Sequence, residues 1–123
     1  MYNHPVATAL FPLPPLGNDP LLSESGKLQD FLSQCRRHIH QHPEVGFEEV
    51  KTAEFVRSIL HGAGFEVHEA AETGAWVEIT GDKAGPTVAY RADLDALPMH
   101  DAKSVEYASK TPGVAHLCGH DAH

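Results

Sequence analysis

The sequence predicts a single α/β domain in which two helices precede a sheet. The chain has 123 residues, which is enough for one domain with a modest core and hardly enough for two. Apolar residues recur every three or four positions from Leu28 to Leu60, as in amphipathic helices. They then alternate with polar residues between Phe65 and Thr80, as in half-buried strands. This order is typical of an α/β sheet with helices packed on its face.

Composition describes an ordinary globular protein and excludes several function classes. The formal net charge is −8, and no basic cluster exceeds Arg36-Arg37, so a nucleic-acid partner is not expected. No apolar run approaches the roughly 20 residues that span a bilayer, so no membrane partner is expected either. Two cysteines, Cys35 and Cys118, do not form a disulfide framework. They favour a reducing, cytoplasmic setting.

An extended tail is expected before the first helix. Residues 1–22 hold five of the nine prolines, a composition typical of extended chain. We therefore place a boundary between this tail and a folded part over residues 23–123. The first helix is expected to begin near Ser23 or Ser25, either of which can cap it. It should end before Pro43, because the residue preceding a proline is pushed out of the α region.

The second helix is expected over residues 47–61, with Gly62 and Gly64 as its stop. The first helix carries an apolar stripe in which Cys35 is interpreted as a core residue. The stripe consists of Leu28, Phe31, Leu32, Cys35 and Ile39.

Three strands are predicted after the helices. Residues 65–69 and 75–80 alternate between apolar and polar side chains, and a turn rich in polar residues joins them. Residues 87–92 are largely apolar, which is typical of a strand nearer the centre of a sheet.

Two acidic residues follow the third predicted strand. Asp93 and Asp95 leave its C-terminal end, where open α/β sheets place their ligands. They are open to three interpretations. They are solvated loop acids, with an Asx-type turn before Pro98. Alternatively, they bind Mg²⁺ for phosphoryl transfer, with one aspartate as the nucleophile. In the third, they share a softer metal with Cys118 and His120.

Cys118 and His120 are candidate metal ligands, because thiolate and imidazole both bind zinc and similar ions. In an extended segment, residues two apart project to the same side, and Gly119 would let the backbone come close. The alternative is a buried cysteine beside a polar turn. A catalytic Cys-His pair is a further alternative, but the closeness of the two residues in sequence suits co-ligation better than proton relay. A thiolate is a poor ligand for Mg²⁺, which favours the softer metal over phosphoryl transfer.

The other histidines receive weaker interpretations. His38 and His42 are four residues apart, so on a helix they could chelate an ion. Together with His40, they are more simply interpreted as solvated helix-end groups, which the helix dipole favours. No role follows from spacing for His100, His116 or His123.

Three blocks of the sequence resemble the amidohydrolase branch of the M20 metallopeptidase family, which includes hippurate hydrolases, N-acyl-amino-acid amidohydrolases and plant auxin-conjugate hydrolases. Residues 36–49 resemble its R-x-x-H-x-H-P-E-x-x-F-E-E opening. Residues 85–98 are similar to its G-P-T-V-A-x-R-A-D-x-D-A-L-P strand, and residues 112–123 to its P-G-x-x-H-x-C-G-H-D-x-H motif. The blocks come in family order and spacing and together cover roughly residues 27–123.

This resemblance implies an enzyme with a two-metal centre that hydrolyses the amide bond of small-molecule N-acyl amino acids. Cys118 and His120 would be metal ligands, and Asp95 would support catalysis by orienting or bridging at the site. Asp93 stands where many relatives have a metal-binding histidine, and it receives no role. The two divalent ions would be zinc or manganese, with cobalt or nickel as further options.

The resemblance also implies that further parts of the site lie beyond this chain. The general-base glutamate, its glutamate partner, two histidine ligands and the lid domain that mediates homodimerisation have no counterparts here. We therefore expect the N-terminal part of a zinc-peptidase-like catalytic domain, with two helices followed by a mixed sheet. We expect no amidase turnover from residues 1–123 alone. The alternative is a non-catalytic metal-binding or interaction domain.

Overall fold

A computed structural model of the chain describes residues 20–123. The helices are α1 (Pro20–Gly26), α2 (Gln29–Gln41) and α3 (Val50–Gly62), followed by strands β1 (His68–Ala70) and β2 (Gly74–Trp76) and the 3₁₀ turn η1 (His120–Ala122). Contacts divide the chain into two units after Leu32, and the second unit, Ser33–His123, contains every candidate site residue. Within residues 20–123, no helix is long and apolar enough to cross a membrane.

The predicted first helix is two helices in the structure. α1 already begins at Pro20, since proline is well suited to the first turn of a helix. Ser23 and Ser25 therefore lie inside α1, and the prediction that one of them caps the helix was wrong. α1 ends at Gly26, and α2 begins at Gln29. The rest of the predicted tail lies outside the described residues.

α2 ends at Gln41, shortly before Pro43, as predicted. Cys35 lies half-buried on this helix, and burial raises the pKa of its thiol. A protonated thiol suits packing better than metal binding. The fully buried side chain of α2 is His40. The interpretation of His40 as a solvated helix-end group was therefore wrong, because contacts with distant segments enclose it.

α3 begins later than predicted because Phe47 adopts a left-handed backbone conformation, with φ of 67°. Glu49 occupies the N-cap position of α3 without a side-chain hydrogen bond to the helix, and the carboxylate that reaches the first turn is that of Glu44. The Glu44 carboxylate accepts hydrogen bonds from the backbone N–H of Thr52 at 2.7 Å and of Lys51 at 3.2 Å. These are among the N–H groups that have no partner within a helix, so Glu44 caps α3 with a negative charge.

The glycine stop of α3 is formed as predicted. Gly64 has φ of 88°, a conformation that glycine adopts without strain. The Gly64 N–H donates to the His61 carbonyl at 2.9 Å, and the Phe65 N–H donates to the Leu60 carbonyl at 3.1 Å. These two bonds form a Schellman motif, which satisfies the last carbonyls of the helix.

β1 and β2 form an antiparallel hairpin that is shorter than the predicted strands. Its register pairs His68 with Trp76 and Ala70 with Gly74. Arg57 of α3 fastens the hairpin, because its guanidinium donates to the Glu69 carboxylate at 3.0 Å and to the carbonyls of Glu72 and Gly74. The α/β class is thus confirmed, with a sheet of two strands in the described chain.

The third predicted strand does not form. Residues 87–92 contain no strand, and the side chains of Val88 and Tyr90 are 86% and 88% exposed. An apolar run can favour extended backbone, but a strand also needs a neighbour to accept and donate its hydrogen bonds. The mixed pairing that was predicted is limited to two isolated bridges, one parallel and one antiparallel.

These two bridges position the acidic residues. The Ala96 N–H donates to the Glu44 carbonyl at 2.8 Å, which ties the acidic segment to the segment between α2 and α3. Leu97 and Ala115 exchange two backbone hydrogen bonds of 3.0 Å each. Ala96 and Ala115 are 2% and 0% exposed, so both bridges lie in the core. The segment with Asp95 is therefore held beside the C-terminal residues of the chain.

Candidate metal centre

His120 and Asp95 are brought into direct contact. His120 Nδ1 lies 2.8 Å from Asp95 Oδ1 and 3.2 Å from the Asp95 carbonyl oxygen. Because both partners are acceptors, the hydrogen-bond pattern assigns the ring proton to Nδ1. The Nε2 lone pair of His120 is then directed away from Asp95. A carboxylate behind a histidine ring in this way orients the ring and increases its basicity toward a metal.

Gly119 determines how His120 is presented. It has φ of 96°, a left-handed conformation, and η1 begins at the next residue. The segment from Cys118 to His120 is therefore not extended, and the expectation that both side chains project to one side on that ground was wrong. The turn needs glycine at this position because a Cβ atom is strained at such a φ.

The structure groups Asp93, His120 and His123 as one possible cation site, here called the Asp93 cluster. One ligand atom from each residue lies within 4.8 Å of the other two. The His123 Nδ1 accepts a long hydrogen bond of 3.4 Å from the Asp93 backbone N–H, and the His120 and His123 ring centroids are 5.1 Å apart. A carboxylate with two imidazoles suits zinc and the other borderline divalent ions. The chemistry of these side chains therefore fits a divalent metal.

Asp93 is held in its ionised form. Arg91 donates to Asp93 Oδ1 from Nε at 2.9 Å and from Nη2 at 2.6 Å. These hydrogen bonds and the charge of Arg91 lower the pKa of the Asp93 carboxyl. Both bonds fall on one oxygen, which leaves the second oxygen, Oδ2, to face a cation.

Cys118 does not join the Asp93 cluster in the described chain, and its side chain is exposed. Its role as a metal ligand remains a prediction. Sequence reasoning linked Asp93 to His120 in one of three open interpretations, and it assigned no role to His123. The spacing of His120 and His123 was available as a signal for His123.

His38 and His42 form a ring pair, not an evident chelate. Their ring centroids are 4.7 Å apart, and His42 Nδ1 donates to the His38 carbonyl at 2.8 Å. The His38 ring also stacks on Phe55 at 4.3 Å. Burial lowers the pKa of His38, with help from the neighbouring His42 charge. These contacts fit the interpretation as helix-end groups, and His100 is likewise exposed.

His116 is buried, with 2% of its surface exposed. Within residues 20–123, neither of its ring nitrogens has a hydrogen-bond partner. Burial lowers the pKa of His116, and the Asp121 charge opposes that shift. A neutral ring is the form that packs at this position.

The contribution of the Asp101 carboxylate to stability can be tested by its dependence on pH. Its carboxylate accepts backbone hydrogen bonds from Ser109 at 2.9 Å and Lys103 at 3.0 Å, which lower its pKa. A lowered pKa in the folded state stabilises the protein above the ordinary carboxyl pKa, and this stabilisation is lost as the pH falls through the folded value. Asp101→Asn should therefore lower the urea midpoint at about pH 7, with a much smaller effect near pH 3.

The matched control for Asp101→Asn is Asp82→Asn, which removes an equal charge from an exposed loop residue. Its urea midpoint should stay near that of the unmodified chain at both pH values. A deficit in Asp101→Asn that is equally large at low and neutral pH would show that the carboxylate charge does not stabilise the fold.

No protein-family model matches the chain, whereas curated proteins and solved structures do. It is 47% identical over 89 residues to the N-acyl-L-amino acid amidohydrolase of Geobacillus stearothermophilus, covering 72% of this chain and 24% of that protein. It is 40% identical over 121 residues to the N-acetyl-L-cysteine deacetylase of Bacillus subtilis, covering 92% and 29%. The chain thus spans about a quarter of the length of these relatives.

The fold is similar to that of a solved protein. The crystal structure of a dinuclear metal-binding peptidase of the M20 family from Bacillus subtilis matches with a TM-score of 0.74 and 39% identity. The match covers 78% of this chain and 27% of that one.

Proposed function

The chain is homologous to part of the M20 family of amidohydrolases and peptidases, and on that premise we propose that it serves metal-dependent hydrolysis of the amide bond of N-acyl amino acids. The observation that carries this proposal is the Asp93 cluster beside Asp95. It combines an ionised carboxylate with an imidazole that a second carboxylate orients. The relatives named for N-acyl-L-amino acid and N-acetyl-L-cysteine substrates supply the substrate class.

The residues have separate roles in this proposal. A bound divalent ion supplies Lewis acidity and a water of lowered pKa. Asp95 holds the Nδ1 proton of His120, so that Nε2 is available as a ligand. Arg91 keeps Asp93 ionised at the edge of the site. We assign no general base within residues 20–123.

Cys118 is proposed as a further ligand. Its thiol is free and exposed, so the side chain can turn without disturbing the core. A thiolate ligand would favour zinc over magnesium, and the proposed ions are zinc or manganese, with cobalt or nickel as further options. Affinity series with Zn²⁺, Co²⁺, Mn²⁺ and Mg²⁺ for the unmodified chain and for Cys118→Ser would isolate this contribution.

The geometry does not favour the alternative of Mg²⁺-dependent phosphoryl transfer. One Asp95 oxygen contacts the His120 imidazole. Asp93 lies beside the imidazoles of His120 and His123, whereas magnesium selects oxygen ligands. A non-catalytic metal-binding domain remains the second candidate, because it needs the Asp93 cluster and no general base. A cytoplasmic location fits two free cysteines, and homodimerisation of a longer form rests on the family resemblance alone.

The function is tested by a chimera. Residues 33–123 would replace the matching segment of the Geobacillus stearothermophilus amidohydrolase, whose own substrates serve as the assay. We expect metal-dependent hydrolysis of N-acetyl amino acids by the chimera. His120→Ala in the chimera should lower kcat/KM at least about 100-fold, since even the outer partners of metal ligands change activity by about 10–100-fold.

His61→Ala is the matched control for the chimera, because His61 is exposed at the end of α3. It should leave hydrolysis unchanged. A folded chimera that binds metal but hydrolyses no N-acyl amino acid would favour the non-catalytic alternative.

A further inference from the structure

A set of buried polar side chains lies beside the candidate metal centre. His40 of α2 is 1% exposed, and its Nδ1 lies 2.7 Å from Asp121 Oδ2. The Asp121 side chain is 2% exposed. Asp121 is the middle residue of η1, which begins at His120. The contact therefore joins the C-terminal part of α2 to the turn that presents a proposed metal ligand.

The surrounding contacts define which edge of the His40 ring faces η1. Lys103 Nζ lies 3.1 Å from His40 Nε2. An ammonium group only donates, so Nε2 presents its lone pair and Nδ1 carries the proton. Asp101 Oδ2 lies 3.4 Å from Nε2 and, as an acceptor facing a lone pair, forms no hydrogen bond with it. The donor edge of His40 is thus directed at Asp121.

The backbone of η1 makes few hydrogen bonds of its own, so side-chain contacts such as that of Asp121 with His40 matter for its position. It is three residues long, and its own backbone bonds are Ala122 N–H to the Gly119 carbonyl at 2.9 Å and His123 N–H to the His120 carbonyl at 3.2 Å. Short 3₁₀ turns have poor internal hydrogen-bond geometry. A buried hydrogen bond to a carboxylate is stronger than one between neutral groups.

We propose that His40 is a positioning residue, which through Asp121 holds η1 so that the His120 ring meets Asp95. This inference rests on the proposed function, because it gives His40 an effect on metal binding. Arg36 assists from the same side, since its Nε lies 3.2 Å from Asp121 Oδ2. The ligand set thereby depends on a helix residue that is not itself a ligand.

A pair of variants separates the two edges of the ring. In His40→Asn the amide nitrogen takes the place of Nδ1 and can still donate to Asp121. In His40→Gln the amide lies near the former Nε2 and leaves Asp121 without its donor. Two measurements follow on the 123-residue chain. The first is Co²⁺ affinity with the visible Co²⁺ spectrum. The second is the ring tautomer of His120 in the metal-free chain, from ¹⁵N–¹H correlation at a pH above the ordinary pKa of imidazole.

The unmodified chain and His40→Asn should both show the Nδ1–H tautomer of His120 and Co²⁺ dissociation constants within about threefold of each other. His40→Gln should shift His120 toward the Nε2–H tautomer and weaken Co²⁺ binding about 10-fold. Asp101→Asn is the control, since it lowers stability on the Nε2 side and should leave both readouts unchanged.

Two results would overturn the positioning role. One is a folded His40→Gln chain with the His120 tautomer and Co²⁺ affinity of the unmodified chain. The other is an Asp101→Asn chain that changes His120 as much as His40→Gln does, which would make the effect one of general stability. If neither His40 variant folds, Asp121→Ala removes the acceptor through which His40 acts, and an unchanged His120 tautomer and Co²⁺ affinity in that variant would overturn the role.

Failure of the proposed function and failure of the positioning role give different results. If the unmodified chain binds no Co²⁺, the metal centre is refuted, while the His120 tautomer in the same variants still decides whether His40 positions η1.

Discussion

Replacing His120 by alanine is expected to weaken divalent metal binding by the 123-residue chain at least about 100-fold. His120 is the residue that joins the two parts of the site, because it belongs to the Asp93 cluster and also contacts Asp95. Its loss removes one ligand and leaves Asp95 without the ring that it orients. Calorimetric titration with Zn²⁺ and Co²⁺ measures the change in affinity.

Two further variants are compared with His120→Ala in metal affinity. His61→Ala removes an exposed histidine at the end of α3 and should leave the affinity unchanged. His123→Ala removes a second member of the Asp93 cluster and should also weaken binding. If His120→Ala binds as tightly as the unmodified chain, the ion, where one binds, is held elsewhere and the Asp93 cluster is not the metal centre.

Asp95→Asn is expected to weaken metal binding about 10–100-fold while leaving the fold intact. The carboxylate accepts the His120 Nδ1 proton, whereas a carboxamide can present its N–H₂ group to the same nitrogen. That exchange would place the ring proton on Nε2, which then has no lone pair for the metal. Because the side chain keeps its size, the effect is one of proton position and charge, not of packing.

Asp82→Asn is the matched substitution for this prediction. It removes the same charge from an exposed residue of a loop that carries no part of the Asp93 cluster. Metal affinity should be unaffected there, and thermal unfolding of both variants checks that neither has lost its structure. Equal affinity losses in the two variants would point to overall charge, and would refute a specific role for Asp95.

Local features of the chain were well predicted from the sequence. The end of α2 before Pro43 follows from the steric limits on the residue before a proline. The Schellman motif at Gly64 follows from the left-handed conformation that glycine adopts freely. Family motifs also marked His120 and Asp95 as site residues; their roles stay predictions, and the structure places the two side chains 2.8 Å apart. In each case the relevant pattern lies within a few neighbouring residues.

Features that depend on distant partners were less well predicted. Residues 87–92 have the composition of a strand but lack a neighbouring strand in the described chain. His40 was interpreted as a solvated helix-end group, but it is buried and contacts two aspartates more than 60 positions away. Neither error could be corrected by a closer look at local periodicity.

The sequence by itself thus determined the helix boundaries set by proline and glycine, the chemistry of the candidate ligands and the family resemblance. The tertiary structure decided which of those ligands meet. Gly119 turns the chain into η1, and the bridge between Leu97 and Ala115 places Asp95 against it. Asp93 and His123 become neighbours of His120 for the same reason. Periodicity and propensity describe the conformation of a short segment, whereas the closure of long loops decides which side chains lie within reach of one ion.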